Sequence, residues 1–173
     1  MNYKSYETER LLLRPTTEVD AAFVYELLNT PKWLKYIGDR NIRSIADAEE
    51  YIKVKMLPQL KRLGHSNFTV IRKSDMVKIG SSGLYDREGL EGLDIGFAYL
   101  PAYEKQGYAF EVAEKLKQLA LEEFGANQLS AITLEKNTAS RRLLEKLGFK
   151  LKGPIRIPND DEELLLYKLN LSI

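Results

Sequence analysis

A chain of 173 residues with 44% apolar side chains has the size and core material of one ordinary domain, so a single domain over residues 1–173 is expected. Its 26 basic and 25 acidic residues leave a net charge of +1, which gives no overall field to attract nucleic acid or an anionic membrane. The lack of cysteine removes thiol nucleophiles, disulfides and zinc–thiolate sites, and a single histidine, His65, leaves little room for imidazole-based metal centres or triads, so no metal is expected. The polar start Met1–Glu7 runs straight into a strand, and no window approaches the roughly twenty apolar residues of a membrane span. A cytoplasmic protein, monomeric or homodimeric, is the expectation.

In chain order, Arg10-Leu-Leu-Leu-Arg14 reads as a buried strand stopped by Pro15, and Thr17-Glu-Val-Asp20 offers a cap for a helix to about Asn29. Thr30-Pro31 breaks that helix. Ser44-Ile-Ala-Asp47 opens a second helix to about Arg62, which Pro58 kinks or splits and Gly64 ends. His65, just past Gly64, is read as solvated or locally bonded rather than catalytic. Asn67–Arg72 and Val77–Tyr85 are rich in β-branched and aromatic residues and flank the turn Lys73-Ser-Asp75. With the strand at 93–100, reached through the turn Asp86-Arg-Glu-Gly89, they predict a three-stranded meander.

That third strand leads through a short loop into Gly107 and then directly into an amphipathic helix carrying Ala109, Val112, Ala113, Leu116, Leu119 and Ala120 at helical spacing. The first turn of a helix has amide hydrogens without internal partners, and the helix dipole adds positive charge there, so a pyrophosphate can supply the missing acceptors. Glycine at 107 keeps side-chain atoms from standing between those amides and the phosphate. Phe124-Gly125 closes the helix, and Leu129-Ser-Ala-Ile-Thr-Leu134 follows as a strand which, after a crossover helix, runs parallel to 93–100. Asn137 caps a helix over 138–147 that Gly148 terminates. Phe149–Ile157 and Glu163–Leu171 form a last strand pair around the acidic turn 158–162, read as a solvated hairpin tip. Gly96, inside an apolar strand, marks either a close backbone approach or a packing accommodation.

The element order is that of an α/β (α+β) fold: a mixed, mostly antiparallel central sheet with helices on both faces, parallel where the crossover helix forces it. With the segments Thr8-Glu-Arg-Leu-Leu-Leu-Arg-Pro15, Asp94-Ile-Gly-Phe97 through Gly107-Tyr-Ala109, and Asn137-Thr-Ala-Ser-Arg-Arg-Leu-Leu-Glu-Lys-Leu-Gly-Phe149, the chain resembles the GNAT N-acetyltransferase superfamily. Within it, the chain looks like the branch of ribosomal-protein alanine and serine N-terminal acetyltransferases. The resemblance implies a splayed parallel strand pair and acetyl-coenzyme A as co-substrate. It assigns the amides of Lys105, Gln106, Gly107, Tyr108 and Ala109 to the pyrophosphate, Phe97, Ala98, Tyr99 and Leu100 to the pantetheine arm, and Asn137 to a coenzyme carbonyl. The family loop usually begins with Gln or Arg; here Glu104 stands in that place and, when ionised, donates nothing to a phosphate.

The implied chemistry is direct attack of a primary amine, from a protein N-terminus or a small molecule, on the thioester in a ternary complex. An alkylammonium is mostly protonated at neutral pH and must lose a proton. Asp94, an acid inside an apolar strand, is the candidate acceptor of that proton; otherwise it pairs with a basic or hydroxyl side chain to fix the strand. Many members of the family use a tyrosine on the helix 138–147 to protonate the sulfur, but the matching residue here is Leu144. Ser140 resembles the serine proposed for that task in the ribosomal-protein branch, its other reading being ordinary helix-start bonding. One of Arg141 and Arg142 reaches the coenzyme's 3′-phosphate, or both are solvated. Acceptor recognition falls to Trp33, Tyr36, Ile37, Tyr85 and Arg156, with Trp33 alternatively a core residue. The other functional classes are a catalytically silent coenzyme-A-binding protein and a nucleotide-binding domain, the latter lacking both G-x-G-x-x-G and G-x-x-x-x-G-K-[ST].

Overall fold

Leu11 and Leu13 are fully buried while Leu12 and Arg14 are half exposed, the alternation of a strand with one face on the core. The computed structural model describes residues 2–172. The chain divides into two compact units, one of residues up to Gly83 together with Phe97–Val112, the other of Leu84–Gly96 together with residues from Ala113 onward.

In the first unit, β1 (Tyr6–Glu7) pairs antiparallel with β2 (Leu11–Pro15), and β2 with β3 (Asn67–Arg72) in the register Leu11↔Arg72 to Pro15↔Phe68. β3 pairs antiparallel with β4 (Val77–Asp86), with a bulge at Val70/Ile71. The short β1 is not anticipated from the sequence. The helices are α1 (Ala21–Leu28), α2 (Pro31–Tyr36), α3 (Ile45–Tyr51) and α4 (Leu57–Leu63). At the head of α1 the Asp20 carboxylate accepts the Thr17 N–H at 3.1 Å, and Glu18–Asp20 form a 3-10 turn before the α-helix proper. Thr30-Pro31 does end α1, but it also starts α2: the Thr30 hydroxyl accepts the Trp33 N–H, and Pro31 takes the first helical position, where its missing N–H costs nothing.

The expected long helix from 44 to 62 is interrupted by the π turn Ile52–Met56. Pro58 has no N–H for a bond four residues back, and the Leu57 N–H reaches five residues back to the Ile52 carbonyl. Ala21, Phe23, Val24, Leu27, Ile52 and Met56 belong to one buried cluster that also takes in Leu100. His65 is buried, which corrects the solvated reading; its carbonyl accepts the Gln59 amide at 3.1 Å.

In the second unit, β6 (Gln128–Thr133) pairs antiparallel with β8 (Leu164–Asn170), which pairs antiparallel with β7 (Lys150–Ile155). Among the described residues, β6 is parallel to β5 (Leu93–Tyr99) over the pairs Leu93↔Leu129 and Asp94↔Ser130, as the crossover helix demands. That helix is α5 (Tyr108–Glu122), with Ala113, Leu116 and Ala120 fully buried. Past its end Gly125 has φ +68°, and the Ala126 N–H returns to the Ala120 carbonyl. α6 (Thr138–Lys146) is capped by Asn137, whose side chain accepts the Ser140 N–H at 3.3 Å. The full sheet order is β1-β2-β3-β4-β5-β6-β8-β7, with β3, β4 and β5 adjacent as the meander requires.

Candidate active site

Between β5 and α5 the backbone makes a 3-10 turn, Pro101–Tyr103, then passes through positive φ at Lys105 (+60°) and again at Gly107 (+81°) before the helix begins. Positive φ is the immediate reason for glycine at 107. Among the described residues, no protein acceptor is bonded to the N–H groups of Lys105, Gln106, Gly107, Tyr108 or Ala109. The loop's own polar side chains are turned elsewhere: Gln106 donates to the Ala102 carbonyl at 3.2 Å, and Glu104 is paired with Lys32 at 2.5 Å. What remains is a row of donors at the positive end of a fifteen-residue helix, with Lys105 exposed beside it.

Arg10, just ahead of β2, holds this loop. Its Nε donates to Glu111 Oε1 at 2.7 Å, its Nη1 donates to the Gln106 carbonyl at 3.1 Å, and its guanidinium lies 4.4 Å from the Tyr108 ring centre. Glu111 also accepts from the Arg10 N–H at 3.1 Å and from the Thr8 hydroxyl. Burial pushes the Glu111 carboxyl up, but the Thr8 and Arg10 bonds outweigh it and hold the group below its ordinary value, so it stays ionised.

On β5, Phe97, Ala98 and Tyr99 are half buried and Leu100 is buried. The Leu100 N–H donates to the Ile79 carbonyl of β4 at 2.9 Å, so it is already engaged within the protein. Strand alternation then directs the Phe97 N–H to the opposite edge, away from β4. The Tyr99 ring covers Gly80, where a Cβ would come within 2.3 Å of it.

In the second unit Asp94 is completely buried, and Arg87 Nε lies 3.2 Å from both of its carboxylate oxygens. Burial raises its pKa; the charge and hydrogen bond of Arg87 pull the other way without cancelling the rise. The Arg87 guanidinium stands 5.6 Å from the Tyr85 ring centre, and that ring lies over Gly96, where a Cβ would be 2.8 Å from Tyr85 Cε2. Gly96 is thus a packing accommodation, made for a tyrosine of the neighbouring strand. The Ser140 hydroxyl has no protein partner among the described residues; it is the backbone N–H of Ser140 that serves the helix start. Arg141 is held by Tyr167 Oη at 2.9 Å and the Glu135 carbonyl at 3.1 Å, which corrects its reading as solvated, while Arg142 is exposed. Leu144 is buried.

Of the acceptor candidates, Trp33 packs against the buried cluster of α1 and α3, and its indole Nε1 is buried with no hydrogen-bond partner among the described residues. Tyr36 is half exposed, with Lys35 Nζ 5.0 Å from its ring centre. The loop, Trp33 and Tyr36 thus belong to the first unit, and Asp94, Tyr85, Asn137 and Ser140 to the second. Sequence reasoning missed Arg10 and Arg87. The first lies in the quoted opening segment, but its partner Glu111 is 101 residues away; the second sits in a stretch that carries only a turn signal.

A family profile described as the acetyltransferase (GNAT) domain matches residues 10–150. The uncharacterised N-acetyltransferase YoaA of Bacillus subtilis is 28% identical over 151 residues, which is 87% of this chain and 85% of that protein. Among solved structures, a GNAT-family acetyltransferase from Bacillus anthracis is 25% identical with a TM-score of 0.78, covering 97% of this chain and 99% of the other. RimL, a ribosomal L7/L12 alpha-N-protein acetyltransferase solved with coenzyme A, has the same fold at 15% identity, with a TM-score of 0.81 and coverage of 96% and 98%. The ribosomal-protein-S5-alanine acetyltransferase of Vibrio fischeri does too, at 17% identity, TM-score 0.79 and 96% coverage of each chain. Because the profile begins at Arg10, takes in the whole strand–loop–helix passage with its open amides, and ends beyond α6, the chain belongs to the GNAT family and is an acetyltransferase.

Proposed function

We propose that this enzyme moves an acetyl group from acetyl-coenzyme A to a primary amine by direct attack in a ternary complex. The observation that carries this reading is the set of unpartnered N–H groups at 105–109, ahead of a long helix. They fit a diphosphate: the donors are backbone, Gly107 puts no side chain over them, and Lys105 adds charge. The coenzyme supplies a thioester carbonyl and a thiol that leaves as the amide forms.

The chain's own residues bind and orient around that exchange. Phe97–Leu100 provide the strand along which the pantetheine arm runs, and the Phe97 amide, on the edge away from β4, is the donor for the carbonyl oxygen as it gains charge. The Oδ1 of Asn137 is taken by Ser140, which leaves its Nδ2 to donate to a pantetheine carbonyl. The unpartnered Ser140 hydroxyl hydrogen-bonds the sulfur. Asp94 takes the amine proton through a water relay, because none of its own surface is open; burial raises its proton affinity in the direction a base needs near neutral pH. Trp33, Tyr36 and Tyr85 are the acceptor-side residues of this reading, Tyr36 through its half-exposed ring and Trp33 as its support from the buried cluster. The two ribosomal-protein acetyltransferases sharing the fold point to a protein N-terminus as acceptor class.

The burial of Asp94 and its pairing with Arg87 favour one other reading, a coenzyme-A-binding protein without turnover. Calorimetric titration with acetyl-coenzyme A, NAD and ATP, followed by thiol release over a panel of amines, decides between them. Binding of acetyl-coenzyme A with release of thiol is expected. Binding without release from any amine leaves the silent protein, and preference for NAD or ATP overturns both.

A further inference from the structure

The loop's usual side-chain donor is missing: Glu104 occupies its place and is tied to Lys32. A second cation near the loop, Arg72, lies 5.0 Å from the Tyr103 ring centre, but its Nε and Nη2 are closed by Asp75 at 3.1 and 2.6 Å. Arg10 is different. Glu111, the Gln106 carbonyl and the Tyr108 ring fix its guanidinium from three sides through Nε, Nη1 and the face of the group. Its Nη2 has no acceptor among the described residues and lies 3.4 Å from where a Cβ of Gly107 would stand. Glu111 engages the guanidinium through Nε alone, which leaves Nη2 as an open charged donor on the loop side. The side chain is 43% exposed, so a ligand on the loop can reach it.

Resting on the acetyl-coenzyme A reading, we infer that Arg10 is a fixed side-chain cation of the coenzyme site in addition to Lys105: its Nη2 donates to the diphosphate beside the amides of residues 105–109, replacing the donor that Glu104 cannot supply. Arg10 therefore has two tasks. It turns the Gln106 carbonyl back into the protein, which sets the neighbouring amides facing outward, and it adds a fixed positive charge at Gly107. A guanidinium held on three sides loses little freedom on binding an anion.

The test is calorimetric binding of coenzyme A and of its 3′-dephospho form to the full chain, wild type against Arg10→Gln and Arg10→Lys, at two salt concentrations. Arg10→Gln is expected to weaken both ligands roughly tenfold, the scale of one charge-assisted hydrogen bond. It is also expected to flatten the salt dependence. Arg10→Lys, which keeps the charge without the fork, recovers the salt dependence but not the whole affinity. A tenfold loss for coenzyme A that vanishes with the dephospho form would place Arg10 at the 3′-phosphate and overturn the assignment. A loss with unchanged salt dependence would reduce Arg10 to a structural brace and overturn it too. Wild-type affinity in both variants refutes Arg10 alone, whereas a wild-type chain that binds no coenzyme A refutes the underlying reading. Thermal melts of each variant separate loss of fold from loss of contact, and should Arg10→Gln prove unfolded, Arg10→Lys carries the comparison.

Discussion

Gly107→Asp, compared with Gly107→Ala, separates the two reasons for glycine in the proposed coenzyme loop. Position 107 has φ +81°, so any L side chain there costs about 1–2 kcal/mol, which lowers the melting temperature of a chain this size by about 2–8 °C. Aspartate bears this conformation better than alanine, and its carboxylate would meet Arg10 Nη2, 3.4 Å from the new Cβ, in an exposed ion pair that returns about 0.2–1 kcal/mol. Aspartate is therefore the less destabilising of the two. Binding goes the other way. A carboxylate about 4 Å from one unit of phosphate charge is repelled by about 1–4 kcal/mol between water-like and protein-surface screening. Coenzyme A affinity should accordingly fall about fivefold to a thousandfold further in Gly107→Asp than in Gly107→Ala. Calorimetry with coenzyme A and differential scanning of the free proteins measure both effects. Equal affinities in the two variants would show that no phosphate lies at this glycine, and the binding argument would fail with it.

Asp20 is completely buried between Arg14 Nη2 and Lys78 Nζ, each 2.7 Å away. Burial pushes its pKa up, but the Arg14, Lys78 and Thr17 hydrogen bonds outweigh this and leave it lowered. Its contribution is thus present above 3.8 and lost as pH falls through the folded value; Asp20→Asn should cost about 3 kcal/mol at pH 7, about 6–12 °C in melting temperature, and much less in acid. Asp94 has the opposite sign. Its raised folded pKa gives a contribution complete below 3.8 and lost as pH rises through the folded value, so urea melts should show wild type losing ground to Asp94→Asn as pH rises above 3.8. A pH-independent difference would argue against the burial effect, and an undiminished turnover in Asp94→Asn would remove its role as base. Ser140→Ala should change stability by less than about 0.5 kcal/mol, since its hydroxyl bonds nothing among the described residues, yet slow thiol release; an unaltered rate would remove Ser140 from the chemistry. Gly96→Ala should cost about 1–3 kcal/mol through the Tyr85 ring, and Tyr85→Leu should restore most of it; a variant no less stable than wild type would show that the ring moves freely aside.

The elements legible in the sequence are those with a local cause. Periodicity marks α5, Asn137 marks the start of α6, Gly64 marks the end of α4, and the crossover length fixes the parallel direction of β6. The open loop ahead of α5 was legible as well, because Gly107 and an immediate helix start are neighbours in the chain. α2 was hidden because Thr30-Pro31 is as good a helix start as a break, and the π turn at 52–56 because a proline signals disruption without saying how the hydrogen bonds rearrange. The side-chain pairings were illegible for a different reason. Arg87 and Asp94 belong to the two sides of a turn, and Arg10 meets Glu111 across 101 residues, so no local spacing announces either contact.

The reach from Arg10 to Glu111 also bears on the order in which the protein can become competent. During synthesis the amino end emerges first, and its arginine has no mate until more than a hundred residues have followed. A nascent or truncated chain that stops short of α5 lacks the contact that braces the loop, whatever is added to it. On the proposed reading, coenzyme A would therefore stabilise finished molecules and give no help to partial ones.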